Sequence, residues 1–138
     1  MRAFRDREAE EALRKIVEAL GMQHLNPESI RVVRSDSRSS AYARIWGVNA
    51  ALQAGLGVGP TYVVELIEGN FSRLSCVEAI ETIIHELAHI PRTFSGNLRP
   101  HNKYFRRDLR AWVRKLRRDS NLLKALEAEA CPKLLKRA

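Results

Sequence analysis

Two histidines one helical turn apart, with a glutamate directly after the first, are the residues of this sequence best suited to chemistry. His85, Glu86 and His89 form the pattern H-E-x-x-H. On a helix, side chains at positions i and i+4 project from the same face, so both imidazoles can reach one metal ion. Glu86 then points slightly aside, where its carboxylate can reach a water on that ion. This arrangement is typical of zinc peptidases, in which the glutamate is the general base.

A catalytic zinc site also needs a third protein ligand and an open position for water. His101 follows the motif across a loop that contains a glycine and a proline. We expect this loop to reverse the chain and to bring His101 to the metal. Glu127 and Glu129, in a later helical segment, are the alternative third ligands.

Other residues near the motif have less specific interpretations. His24 precedes an Asn-Pro turn and is interpreted as structural. Arg99 and Tyr104 flank His101 and are candidates for the donor that stabilises a tetrahedral oxyanion. A surface role for Arg99 and a core role for Tyr104 are the alternatives.

The hydrophobic pattern predicts the elements that must position these residues. A serine at position 75 followed by a glutamate at position 78 is a capping box, which indicates the start of the motif helix. The run Thr61–Ile67 is rich in β-forming residues, and it could offer an edge to an extended peptide. The full prediction is a helix at 5–20, strands at 30–35, 41–46 and 61–67, a short helix or loop at 49–56, a helix from 75 to near 91, a loop at 92–100, and helices at 103–118 and about 121–130.

The positive charge of the chain is concentrated at its C-terminal end. The net charge of the whole sequence is +8, but residues 99–138 hold 13 Lys and Arg against 4 Asp and Glu. The predicted helix at 103–118 has an apolar face and a face of arginines and lysines. Such asymmetry indicates an anionic partner, nucleic acid first, and we expect DNA as a possible partner. A solvated face that only aids solubility is the alternative.

Length, apolar runs and cysteines set the remaining expectations. The 138 residues suit one domain, 1–138, and no apolar run approaches a membrane span. The N-terminus enters a charged helical pattern without the apolar core of a signal peptide. Cys76 and Cys131 are far apart and in no C-x-x-C spacing, so we predict two ordinary thiols. These features together predict a cytoplasmic protein with no membrane partner.

The region after the motif carries a more specific signal than H-E-x-x-H alone. The stretch from Ile84 to Pro91, followed by residues 93–96 and by Leu98-Arg99-Pro100-His101, closely resembles a family of metallopeptidases found in phages and archaea. The resemblance implies a compact zincin-like α+β fold, with a small three- or four-stranded sheet packed on the motif helix. It also implies zinc as the cofactor, with His85, His89 and His101 as its ligands and Glu86 as the catalytic residue.

A looser similarity leads to the SprT-like and Wss1-like proteases. In those proteins a third zinc histidine is followed by glycine, two variable residues and phenylalanine. Here His101 and Phe105 are kept, and Asn102 stands where glycine is usual. SprT-like and Wss1-like proteases act on proteins bound or crosslinked to DNA, and the basic helix is compatible with that role.

These observations support three hypotheses. The first is a zinc metallopeptidase that acts on a protein or peptide substrate. The alternative is a nucleic-acid-binding module whose zinc site is structural or vestigial. Glu86 favours the enzyme, because a structural site gains nothing from this carboxylate and usually has a fourth protein ligand. The third hypothesis joins the two in a DNA-stimulated protease.

Overall fold

The computed structural model describes residues 1–136, in which a four-stranded mixed sheet is accompanied by seven α-helices. The predicted α+β class with a small sheet is confirmed. No helix in residues 1–136 has both the length and the apolar character needed to cross a membrane. The elements in chain order are β1 (Ala3–Arg5), α1 (Arg7–Leu20), β2 (Ile30–Ser35), β3 (Ala43–Val48), α2 (Ala50–Leu56), β4 (Thr61–Ile67), α3 (Glu68–Phe71), α4 (Cys76–Leu87), α5 (Lys103–Arg118), α6 (Ser120–Glu129) and α7 (Cys131–Leu134).

The strands lie in the order β1-β2-β4-β3. The β2 and β4 strands are parallel, and both outer strands pair antiparallel with their neighbours. The expectation that Thr61–Ile67 offers a free edge is therefore wrong, because β4 is an interior strand. Its last four residues are all buried, as suits a strand paired on both sides. Strand β3 is an edge of the sheet instead.

Helices α1 and α4 pack on one face of this sheet. Alternate residues such as Ile30 and Val32 of β2 and Val64 of β4 are buried in the core together with the apolar side of α1 and α4. Their neighbours Arg31 and Trp46 point the other way and are exposed. The motif helix α4 therefore lies beneath the sheet, and it packs against β3.

The N-terminal segment differs from the prediction. Asp6 has an extended backbone, and its carboxylate accepts hydrogen bonds from the amides of Glu8 and Ala9. It is thus the N-cap of α1, which begins two residues later than predicted. The three residues before it form the short edge strand β1, which was not predicted. Three residues are too few for a recognisable alternation of apolar and polar side chains.

The prediction of two ordinary thiols is wrong, because Cys76 and Cys131 form a disulfide across a sequence separation of 55 residues. Each cysteine is the first residue of its helix, α4 or α7, and the two helices pack together. Their Cα atoms are 5.6 Å apart, within the usual range for a disulfide. Sequence spacing cannot reveal this contact, because only the tertiary packing brings the two helix starts together. The cysteines therefore no longer support the prediction of a cytoplasmic protein.

A buried ion pair ties the end of the chain to the sheet. Arg34 of β2 donates to Asp6 at 2.6 Å, and both side chains are only 4% exposed. The same guanidinium donates to the backbone carbonyls of Lys133 and Leu134. The ammonium of Lys136 also contacts Asp6, at 2.9 Å. Burial favours the neutral acid, but these hydrogen bonds outweigh it and lower the pKa of Asp6 to about 2.

Candidate metal centre

The three histidines singled out from the sequence meet at the end of the motif helix. One nitrogen of each of His85, His89 and His101 lies within 4.8 Å of the other two. The Nε2 atoms of His89 and His101 are 3.2 Å apart. The loop after the motif thus reverses the chain, as expected. Neither Glu127 nor Glu129 belongs to this group, so the histidine is the third candidate ligand that the fold supplies.

The distance between two of these nitrogens fits a single tetrahedral metal ion. Two nitrogens bound to one tetrahedral zinc at the usual bond length of about 2.0–2.1 Å are about 3.3 Å apart. The observed 3.2 Å between His89 and His101 is close to that value. No fourth His, Cys, Asp or Glu joins the group within residues 1–136, so a water or a substrate oxygen can take the fourth position.

The motif helix ends earlier than predicted, and this affects the two motif histidines differently. Helix α4 ends at Leu87, with Ala88 as its C-cap, rather than near Pro91. His85 is therefore in the last turn, whereas His89 lies just beyond the helix and donates its backbone N–H to the Glu86 carbonyl. The chain tightens here instead of continuing the α-helix. The two imidazole centres are nevertheless 5.4 Å apart, so both rings stay on the same side.

Burial keeps two of these histidines in the form that binds metal. Desolvation lowers the pKa of His85, and the nearby His89 and His101 lower it further. Burial also lowers the pKa of His89, and this effect outweighs the hydrogen bond to the Arg99 carbonyl. Neutral imidazole is the form that coordinates a metal, so both side chains are prepared to act as ligands near neutral pH.

Arg99 holds His89 in position through its backbone and its side chain. The Nδ1 atom of His89 lies 2.9 Å from the Arg99 carbonyl oxygen, and the Arg99 amide donates to the His89 carbonyl at 2.8 Å. A proton on Nδ1 leaves Nε2 free to bind a metal. The guanidinium donates to the carbonyl of Ala88 and to Asp108 of α5, each at 2.7 Å. These bonds use two of the five N–H groups of the guanidinium, and the role of Arg99 as an oxyanion donor stays a prediction.

Asp108 is the buried anchor of this arrangement. Its side chain is 5% exposed, and it also accepts a hydrogen bond from the exposed Arg92. Burial favours its neutral form, but the hydrogen bonds from Arg99 and Arg92 outweigh burial and lower the pKa of Asp108. The carboxylate therefore stays charged and fixes the guanidinium that supports the His89 loop.

The third histidine is positioned by the start of α5. The Asn102 side chain is the N-cap of this helix and accepts the backbone N–H of Phe105. Arg106 donates to the His101 carbonyl. The buried Phe105 ring packs against all three imidazoles, with centroid distances of 5.2 Å to His85, 4.5 Å to His89 and 4.6 Å to His101. One aromatic side chain thus forms the apolar surface against which the three histidines pack.

The loop between the second and third histidines is attached to the edge strand by two glycines. A Cβ atom on Gly47 of β3 would lie 2.1 Å from the carbonyl oxygen of Gly96, and one on Gly96 would lie 2.2 Å from the Val48 carbonyl oxygen. Gly96 also has φ near +97°, which a side chain disfavours. The buried Tyr62 completes the contact, because its hydroxyl accepts the Gly96 N–H and donates to the Asn97 carbonyl.

The glutamate of the motif has an environment unlike that of the other acids. Glu86 is 8% exposed, and within residues 1–136 its carboxylate has no hydrogen-bond or ion-pair partner. Burial alone raises its pKa to about 7. A carboxylate with this pKa can both accept and release a proton near neutral pH.

Two other residues considered from the sequence lie outside the metal group. His24 stacks on Trp112 at 5.7 Å, which agrees with its interpretation as structural. Tyr104 is 48% exposed, and Lys103 and Arg107 lie over its ring. Tyr104 is thus not part of the core, and no contact joins it to the histidines within the described residues.

The fold and the site define the class: a small α+β protein in which three histidines could hold one metal ion beside a glutamate that is buried and has no partner within residues 1–136. The chain matches the family model described as "Putative phage metallopeptidase" over residues 1–130, and it belongs to this family. The family predicted from the residues around the motif is thereby confirmed. Comparisons with curated proteins and with solved structures gave no match. The similarity to SprT-like and Wss1-like proteases stays a prediction.

Proposed function

We propose that this protein is a zinc-dependent metallopeptidase that hydrolyses peptide bonds of protein substrates. In this proposal His85, His89 and His101 are the zinc ligands and Glu86 is the general base. The observation that carries it is the combination of three converging imidazoles with a buried carboxylate that has no partner of its own. A structural zinc site has no use for such a carboxylate.

Each residue has a defined task in the hydrolysis. Zinc, when bound, supplies a Lewis acid that polarises the substrate carbonyl and acidifies water. Glu86 takes a proton from the attacking water and later delivers it to the leaving amine. Its pKa of about 7 suits both transfers near neutral pH. Asp108 and Arg99 hold the His89 ring so that its Nε2 faces the metal position.

The edge strand β3 supports an extended mode of substrate binding. Within residues 1–136 its one strand partner is β4, so its other edge can pair with an added peptide strand. The end near Gly47 is occupied by the loop before His101, which leaves the part from Ala43 to Trp46 for the peptide. A cleft of about 410 Å³ lies between the start of β3 and helix α4, and His85 and Glu86 are among its lining residues.

A glutamine at position 86 tests the proposal. The Glu86→Gln variant keeps the shape of the side chain but cannot accept a proton, so we expect unchanged zinc content and proteolysis of an unfolded casein reduced at least about 100-fold. Glu11→Gln, which removes an exposed charge from α1, is the matched control and should keep full activity. Casein cleavage that persists in Glu86→Gln would contradict the assignment of the general base.

We further propose that the substrates include proteins associated with DNA, because α5 presents a strongly basic surface. Eight exposed arginines and lysines lie on this helix, and its one acid, Asp108, is buried and already paired. Six of the eight cations have no ion-pair partner within residues 1–136: Lys103, Arg106, Arg110, Arg114, Lys115 and Arg118. The helix spans about 24 Å, and its basic face begins beside the His101 carbonyl.

The salt dependence of DNA binding distinguishes contacts to phosphates from a basic face that only aids solubility. Binding to a duplex should weaken with salt at a slope of about −0.9 for each phosphate contacted. We expect Arg110→Gln combined with Arg114→Gln to reduce that slope by about 1.8, while zinc content is unchanged. The control pair Arg31→Gln and Arg73→Gln removes the same charge elsewhere and should leave the slope unchanged. Equal slopes for wild type and the α5 variant would refute the DNA proposal.

The nucleic-acid-binding module without peptidase activity is the alternative function. It predicts salt-dependent DNA binding together with no casein cleavage by the zinc-loaded protein. Casein cleavage that depends on Glu86 excludes it, whatever the DNA result. The two experiments therefore test the two parts of the proposed function separately.

A further inference from the structure

We propose that the cleft between α4 and β3 is a specificity subsite for a lysine or arginine side chain of the substrate, recognised chiefly by Glu78. This inference rests on the proposed peptidase function and names the substrate class that the site prefers. The cleft lining is formed by Tyr42, Ala43, Leu74, Glu78, Glu81, Thr82, His85 and Glu86.

The charge of this cleft is opposite to that of the chain. The protein carries a net charge of +8, yet the cleft lining includes no lysine or arginine and three glutamates. A substrate cation is therefore attracted here, whereas an acidic side chain is repelled. The contrast is strong against α5, whose cations line two other surface depressions.

The two outer glutamates of the cleft, Glu78 and Glu81, differ in whether their carboxylates already form an ion pair. Glu81 accepts hydrogen bonds from Nε and Nη2 of the exposed Arg117, at 2.7 and 3.0 Å. Glu78 accepts the backbone N–H of Ser75 with one oxygen, and this bond keeps it charged. Its contacts within residues 1–136 are all with Ser75, and no lysine or arginine pairs with it, so its carboxylate can form an ion pair with a substrate cation.

The walls of the cleft suit the aliphatic stem of a basic side chain. Ala43 and Leu74 are nearly buried, at 7% and 5% exposure, and they supply apolar surface. Tyr42 is 50% exposed at the start of the edge strand, where its ring can pack on the stem or face the cation. Lysine and arginine place an apolar stem against such surface while the charged end reaches a carboxylate.

Helix geometry places the subsite at a defined distance from the reacting bond. Glu78 precedes His85 by seven residues, about 10.5 Å along the axis of α4 at 1.5 Å per residue. An extended peptide advances about 3.3 Å per residue. The basic residue therefore lies about three positions from the scissile bond, and a long side chain extends this range to two to four positions.

The third glutamate of the lining, Glu86, connects the cleft to the residue proposed as the general base. It lines the same cleft, is 8% exposed and has no partner within the described residues. Its carboxylate is not among the fully buried unpaired polar atoms, so a substrate or a water in the cleft can reach it. The cleft is thus continuous with the position where the peptide bond is cleaved.

Matched peptides test the preference directly. We would prepare decapeptides that are identical except for lysine, norleucine or glutamate at one position, scanned across five positions on each side of the cleaved bond. The expected result is about a tenfold higher kcat/KM for lysine than for norleucine at one position two to four residues from that bond, and a lower value for glutamate. Equal rates for lysine and norleucine at every position would overturn the proposal.

A conservative variant isolates the carboxylate. Glu78→Gln keeps the capping box, because glutamine can make the same bond to the Ser75 amide. We expect it to abolish most of the lysine preference while kcat/KM for the norleucine peptide stays within about twofold. The control Glu11→Gln removes the same charge from α1 and should leave the preference intact. Loss of preference in both variants would indicate a long-range charge effect and overturn the subsite.

Binding to the inactive protein distinguishes failure of the subsite from failure of the peptidase. Fluorescence anisotropy with Glu86→Gln should show the lysine peptide bound about tenfold more tightly than the norleucine peptide, and Glu78→Gln added to it should remove the difference. Equal binding of the two peptides with normal cleavage by wild type overturns only the subsite. Selective binding without any cleavage by wild type overturns the peptidase and leaves the subsite standing.

Discussion

Replacing Asp108 by asparagine should weaken zinc binding although Asp108 is not a metal ligand. Its carboxylate holds Arg99 at 2.7 Å, and both side chains are nearly buried, at 5% and 10% exposure. Arg99 in turn fixes His89 through the contact between its carbonyl oxygen and Nδ1. Asparagine has the same shape but no charge, so the guanidinium loses its charged partner while the packing is kept.

The expected loss of zinc affinity follows from the indirect role of Asp108, which orients a metal-binding histidine through Arg99. Removing a group that orients a metal-binding histidine typically lowers metal affinity about 10- to 100-fold, which is about 1.4–2.7 kcal/mol. The zinc Kd is measured by competition with a chromophoric chelator at fixed pH. Thermal unfolding of the zinc-free protein in the same buffer shows whether the variant is folded.

Arg92 provides a matched control on the same carboxylate. It donates to the other oxygen of Asp108, its side chain is 60% exposed, and within residues 1–136 no contact joins it to His85, His89 or His101. Arg92→Gln should therefore change the zinc Kd by less than about threefold. A folded Asp108→Asn protein with the zinc Kd of wild type would refute the positioning role, as would an equal loss in Arg92→Gln.

Three further predictions concern the framework around the site. Reducing the disulfide, or replacing Cys76 and Cys131 by serine, should lower the free energy of unfolding by about 4 kcal/mol, the loop-closure value for their separation of 55 residues; an unchanged guanidinium midpoint would contradict this. The pKa of Asp6 is depressed from 3.8 to about 2, so the stabilisation by its carboxylate is complete above about pH 4 and is lost towards pH 2. Urea unfolding should therefore show Asp6→Asn less stable than wild type by about 2 kcal/mol at pH 5, with the difference vanishing near pH 2. A difference that does not change with pH would refute the assignment. Gly47→Ala should displace the loop before the third histidine and lower both the thermal midpoint and the zinc affinity, whereas Gly69→Ala, where a Cβ meets nothing within 4 Å, should keep the wild-type zinc affinity.

Local sequence patterns were sufficient to predict the larger elements. The bounds of β2, β4 and α5 match the prediction, because β2 and β4 are runs rich in β-forming residues and the apolar side chains of α5 follow one face of a helix. The capping box at Ser75 is also present. The order of the strands could not be predicted, because no local pattern shows that β4 lies between β2 and β3. The disulfide was missed for the same reason.

The metal group and its supports differ in how far the sequence reveals them. The spacing of His85, Glu86 and His89 directly predicts a metal site with a general base. His101 was one of few candidates for the third ligand. The support by Asp108 was not foreseen, because an aspartate on a basic helix looks like an ordinary surface charge. Its spacing on α5 was a usable signal, since it falls on the buried face next to Phe105 and Leu109.

The zinc content of the purified protein, wild type and His101→Ala, tests the central claim most directly. Elemental mass spectrometry without added zinc should find about one zinc per wild-type chain and a sharply reduced amount in the variant. Full zinc in the His101→Ala variant would contradict a site made of three histidines. Absence of zinc from both proteins, even after reconstitution, would contradict the metallopeptidase account itself.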